Sequence, residues 1–153
     1  MGDRRQRQMG IRDRYLRGFE MVVEDAQPWS LMCAYNKVNG VYCSENSLLN
    51  NDMLRDEWGF TGIVMTDWGA TNDRVRSIEA GMDLEMPGSH GAHNREIKQA
   101  LKDQILSTDS IDICGQRMLD LLEKGQAALH ADVEVDLEAH HELAYQVAMQ
   151  CAV

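Results

Sequence analysis

"GIVMTDWGA", residues 62–70, sets three apolar side chains behind a glycine and then stops at a carboxylate, Asp67, beside an indole, Trp68. Apolar residues at successive positions, rather than alternating ones, suit a strand buried on both faces, as in a parallel sheet covered by helices. The C-terminal end of such a strand is where side chains meet ligands, because the loops there vary while the sheet holds them rigid.

On the N-terminal side, residues 46–58 return to helical spacing through Leu49, Met53 and Trp58, with Ser44, Asn46 or Ser47 available as caps and Gly59 as the stop. Before that, "SLMCAY" predicts a strand over 30–35, and "NKVNG" reads as the loop after it. Ile11, Tyr15, Phe19 and Val22 mark an amphipathic helix over 11–24 that breaks at Pro28. On the C-terminal side, "ATNDRVRSIEAG" predicts a short helix through Val75 and Ile78, capped by Thr71 or Asn72 and closed by Gly81. "MDLEMPG" is then a third strand, over 83–86.

Helix and strand alternating three times is the pattern of βαβ units and a parallel sheet. Two more helices follow, one through Ile97, Leu101 and Ile105 and one through Ile111, Cys114 and Met118 that stops at Gly125. "AALHADVEVDLEAH" reads as an acidic connector and "HHELAYQVAMQCAV" as the start of a last helix. The fold class is α/β. Three strands make only part of a closed (β/α)₈ barrel, which needs about 250 residues. No G-x-G-x-x-G turn supports a dinucleotide site.

The 153 residues are 44 % apolar, enough for a real core, and 25 acids against 15 bases give a net charge of −10. That balance disfavours nucleic-acid and anionic-membrane partners. The basic start "MGDRRQRQMGIRDR" has no apolar signal core behind it, and no stretch reaches the length of a membrane span. Cys33, Cys43, Cys114 and Cys151 form no CxxC pair. A reducing cytoplasm is the expected location.

The three strand ends hold Tyr35, Asn36 and Lys37, then Asp67 and Trp68, then Glu85 and Met86. Hydroxyls and CH faces of a sugar match such a set of hydrogen-bonding groups and aromatic plates. Each residue also has a plain structural alternative. Asp67 serves either as the N-cap of the next helix or as a functional acid, Trp68 packs or stacks on substrate, Tyr35 ties a loop or contacts the site, and Lys37 is a surface charge. Glu85 is either a satisfied structural acid or a ligand for a sugar hydroxyl. His90 and His93 share a loop without a third ligand, so no metal is expected.

"SLMCAYNKVNGVYCSENSLLNNDMLRDEWGFTGIVMTDWGA", residues 30–70, closely resembles the β-glucosidase branch of glycoside hydrolase family 3, and "GMDLEMPG" at 81–88 continues the match. The resemblance implies a (β/α)₈ barrel followed by an α/β sandwich domain. Residues 1–125 would be the C-terminal half of the barrel, with its sixth to eighth strands at 31–35, 63–66 and 83–86. Residues 126–153 would be the linker and first helix toward the sandwich.

It further implies a retaining enzyme without cofactor, acting on a β-glucoside or oligosaccharide, with Asp67 as nucleophile. Tyr35 would orient Asp67, Trp68 would shape the sugar pocket, and Asn36 and Glu85 would be supporting contacts. The family's acid/base glutamate lies on the sandwich domain, so the chain alone is expected to hydrolyse glycosides poorly or not at all. It is also expected to need a complementing fragment or to self-associate. A non-catalytic carbohydrate-binding remnant is the alternative from another class, and a β-xylosidase or N-acetylglucosaminidase the alternative within the family.

Overall fold

The computed structural model describes residues 10, 12–129 and 135–151. The chain divides into two compact units, residues 1–123 and 124–153. In the first, a π-helical turn, Arg12–Leu16, leads into α1 (Arg17–Ala26), and the strand β1 (Ser30–Cys33) follows. The hairpin β2 (Lys37–Val38) and β3 (Val41–Tyr42) comes next, then α2 (Leu48–Glu57), a helix of π type, and β4 (Ile63–Thr66). The helices α3 (Arg74–Glu79) and α4 (Ala92–Lys102) follow, and α5 (Thr108–Ala128) runs across the boundary between the units. In the second unit, α6 (Leu137–Cys151) has no buried residue.

β1 and β4 pair in parallel, with Ser30 opposite Ile63 and Cys33 opposite Thr66. The expected third strand is not one. Leu84 makes a single parallel bridge to Met65, with Thr66 N donating to Leu84 O at 2.9 Å. The ladder stops because Asp83, next to that bridge, turns its carboxylate to Val64 N at 2.8 Å, and Thr66 Oγ1 takes up Met86 N at 2.7 Å. Side chains here occupy main-chain groups that a strand would have used.

"NKVNG" is likewise more than a loop. Asn39 and Gly40 both have positive φ, 53° and 86°, the twist that closes a two-residue hairpin, and Lys37 pairs with Tyr42. α3 is capped by Asp73, whose side chain accepts from Arg76 N at 3.0 Å, rather than by Thr71 or Asn72. Of the candidates Ser44, Asn46 and Ser47, Ser47 stands at the N-cap of α2 without a side-chain bond, and Asn46 Oδ1 accepts from Leu49 N at 3.3 Å. α4 ends at Lys102, so Ile105 is exposed and Leu106 fills the core instead. α5 runs past Gly125 to Ala128, and α6 starts at Leu137, ahead of the "HHELAYQVAMQCAV" stretch that begins at His140.

The main core joins Val23 of α1, Met53 and Leu54 of α2, Trp58, Phe60, Cys33 and Val64. Leu31 packs against it too, so Leu31, Cys33 and Val64 mark the helix-covered face of the two-stranded sheet. The opposite face carries Met32, which is 58 % exposed, and Met65. On α1 the predicted apolar stripe faces outward. Tyr15, Phe19 and Val22 are all more than half exposed, and Val23 is the residue that reaches the core.

At the edge of β4 lies a charge cluster centred on Asp83, whose side chain has no exposed surface. Arg55 of α2 approaches it at 2.6 Å and Arg117 of α5 at 3.1 Å. Arg74 of α3 donates to the carbonyls of Met82 and Asp83, both at 3.1 Å. A buried carboxylate is tolerable because ion pairs and a backbone donor saturate it. The result is that three helices are fastened to the segment bridged to β4.

Candidate active site

Alternation along β4 puts Val64 on the helix-covered face, so Met65 and, one residue past the strand, Asp67 turn to the opposite, open face. Asp67 does not cap a helix, because Asp73 has that role for α3. Its Oδ1 accepts from Trp68 N at 2.6 Å, which fixes the carboxylate against its own turn. The turn is tight: Ala70 N donates to Asp67 O at 3.0 Å and Gly69 N to Met86 O at 2.8 Å. Gly69 has φ +78°, a conformation that suits a residue without Cβ.

Thr66 anchors the same turn from below. Its hydroxyl accepts from Met86 N and donates to Met86 O at 3.2 Å, so the last residue of β4 and the residue after Glu85 cannot slide apart. Sequence reasoning missed Thr66 and Met86 as supports, since partners 20 positions apart leave no local pattern.

Tyr35 stands beside Asp67. Its hydroxyl donates to Trp68 O at 2.7 Å, and its phenol is raised above the ordinary value by desolvation and by the Asp67 carboxylate. Trp68 is 66 % exposed, so its indole is not core filler. The structure thus brings Tyr35, Asp67 and Trp68 together. Cys33 lies under them as a buried thiol, pushed up by burial, with the Asp67 N–H acting in the opposite direction.

The other sequence candidates are placed differently. Asn36 is exposed and its side-chain amide donates to the carbonyl of Lys37 at 3.4 Å. Lys37 is not a plain solvated charge, since its Nζ sits 4.3 Å from the Tyr42 ring centroid. Glu85 is half-buried and meets His93 Nδ1 at 2.5 Å, and its charge also acts on buried Arg74. This is the satisfied-acid alternative for Glu85, on the helix side of the segment. Among the described residues no three His, Cys, Asp or Glu side chains gather as a metal site.

The family model described as "Glycosyl hydrolase family 3 N terminal domain" matches residues 3–121. Among curated relatives, an exo-alpha-(1->6)-L-arabinopyranosidase of Bifidobacterium longum is 44 % identical over 144 residues, 94 % of this chain and 19 % of its own length. Thermostable beta-glucosidase B of Acetivibrio thermocellus is 43 % identical over 143 residues, with the same coverage. Beta-glucosidase 3B from Thermotoga neapolitana, solved in complex with glucose, superposes with a TM-score of 0.79 at 41 % identity over 89 % of this chain and 20 % of that one. The chain spans about a fifth of the length of the relatives it matches. With its mixed helices and small sheets it has the α/β character of those enzymes, and it belongs to glycosyl hydrolase family 3.

Proposed function

We propose that the chain is the nucleophile-bearing part of a retaining β-glucosidase, with residues 1–125 forming the last βα units of a (β/α)₈ barrel and residues 126–153 leading out of it. Asp67 attacks the anomeric carbon, and water later releases the glycosyl group from it. The observation that carries this reading is the turn at 66–70, where Asp67 is fastened at a strand end and left out of helix capping, beside the exposed Trp68 ring and the Tyr35 hydroxyl. Met32 and Met65 line the same open face, in the position of a barrel interior short of its other strands.

A retaining mechanism needs a second carboxyl group about 5 to 5.5 Å from the first. Glu45 accepts from Asp73 N, Glu57 pairs with Arg12, and Glu85 pairs with His93. These acids already have structural partners, and the resemblance to the family implies that the proton donor lies on its sandwich domain, which leaves the chain alone a poor catalyst. Glucose bound to the Thermotoga neapolitana relative favours a glucoside as substrate, and the arabinopyranosidase relative makes an arabinopyranoside the nearest competitor.

A 2-deoxy-2-fluoro-β-glucoside with a dinitrophenolate leaving group needs no proton donor, so it tests the nucleophile by itself. Mass spectrometry should find the fluoroglucosyl group on the peptide containing Asp67, and no label in Asp67→Asn. Ordinary nitrophenyl β-glucoside should not be turned over. Weak sugar binding with no label at Asp67 would favour a carbohydrate-binding remnant instead.

A further inference from the structure

Residues 87–91, between Met86 and α4, include no buried residue, so no core contact fixes the loop they make. Glu85 and His93 close it instead. Their side chains, 14 % and 22 % exposed, meet at 2.5 Å across its base. An ionised carboxylate only accepts hydrogen bonds, so His93 Nδ1 carries the hydrogen of this contact in either charge state of the ring. A charge-assisted bond of this kind is stronger than a neutral one. Arg74 feels the Glu85 charge but donates to the carbonyls of Met82 and Asp83. His93 is therefore the partner that sets where the Glu85 carboxylate lies.

The imidazole stands on a firm base. The Ser89 hydroxyl accepts from His93 N at 3.0 Å and the Ser89 carbonyl from Ala92 N at 3.1 Å, which ties down the start of α4. Further along the helix Ala100 is buried in a cluster with Ile78 of α3, and Ile97 and Leu101 pack against it.

On the other side of Glu85 stands the turn that carries Asp67. Leu84 O accepts from Thr66 N at 2.9 Å, and Met86 O accepts from Gly69 N at 2.8 Å. Met86 N and O also share the Thr66 hydroxyl. These bonds join the segment 84–86 to the end of β4 and to the turn, but all of them lie on one side of it. Past Asp83, the contact from the helix side is the one between Glu85 and His93. We infer that His93 is a positioning residue for the nucleophile: through Glu85 it fixes Met86, and through Met86 the Gly69 amide and the direction in which the turn presents Asp67. The inference rests on the reading of Asp67 as nucleophile given above.

Backbone amide exchange, followed by NMR on the full chain, reads this coupling without any reaction. His93→Ala should speed exchange of the Gly69 amide about tenfold by freeing the turn to open locally. The Ile63 amide, bonded to Trp29 O at the start of β4, should keep its rate. His93→Asn sets a side-chain N–H donor where Nδ1 was and should restore slow exchange at Gly69. Glu85→Ala should match His93→Ala, and the double variant should go no further, because the two side chains act as one unit. With the activated 2-deoxy-2-fluoro-β-glucoside, His93→Ala should lower the maximal rate of labelling at Asp67 about fivefold, as misplacement of a reacting group does, and leave the glycoside concentration for half-maximal labelling unchanged. Unaltered exchange at Gly69, equal acceleration at Ile63, or no recovery in His93→Asn would overturn the inference. A wild-type chain that is never labelled, with Gly69 responding as expected, loses the nucleophile reading and keeps the coupling of His93 to the turn. Labelling of His93→Ala at the wild-type rate loses the positioning role and keeps the nucleophile.

Discussion

Tyr35→Phe removes one hydroxyl and leaves the ring, so it isolates the bond to Trp68 O at 2.7 Å. The turn carrying Asp67 then loses one of its tethers. Trapping of Asp67 by the activated fluoroglucoside is expected to slow about fivefold, while the melting temperature moves little. An unchanged trapping rate would show that Thr66 and Met86 hold the turn without help from Tyr35. Tyr35, Asp67 and Trp68 were legible in the sequence because an acid that ends an apolar run and aromatic residues at strand ends are local signals. Their supports were not. Asp73 as helix cap hid behind the equally suitable Thr71 and Asn72, and Glu85 gave no hint of His93, which lies eight residues on across a turn.

At the scale of elements, the contact between β1 and β4 depends on Gly62. A Cβ there would lie 2.5 Å from the Trp29 carbonyl oxygen and 2.7 Å from Phe60 Cζ, and that same carbonyl accepts from Ile63 N to start the ladder. Gly62→Ala is expected to cost about 1 to 3 kcal/mol, as overpacking does, and to lower the urea midpoint without changing the slope. Strands and helices with strong periodicity were readable from sequence to within a few residues. The segment 83–86 reads as a strand by composition, but Asp83 and Thr66 use side chains to satisfy main-chain groups there, and no pattern of apolar residues reports that. The apolar stripe of the first helix is legible as a stripe. What it faces is a property of the neighbouring polypeptide, so Tyr15 and Phe19 border a groove instead of a core.

For the whole molecule, alkaline stability should follow Cys114. Burial raises its thiol from 9.0 to about 11, so the folded state resists ionisation more than the unfolded chain does. The sign is then fixed: the contribution is fully present below pH 9 and is lost as pH climbs toward 11, by at most about 3 kcal/mol. Cys114→Ala should flatten the fall of unfolding free energy between pH 9 and 11, measured by urea titration. An unaltered slope would mean that other groups govern that range. Cys151, which is exposed, should react with a thiol reagent well before the three buried cysteines.

The cluster around Asp83 also sets a timetable for assembly. Its two guanidinium partners lie 28 residues upstream and 34 residues downstream. Until both arrive, enclosing that oxygen pair leaves a charge stripped of water, so halfway-built forms gain nothing by closing early. A chain emerging from a ribosome must therefore keep this knot wet until residue 117 is free to join it, and the segments it ties should then lock as one event rather than piece by piece.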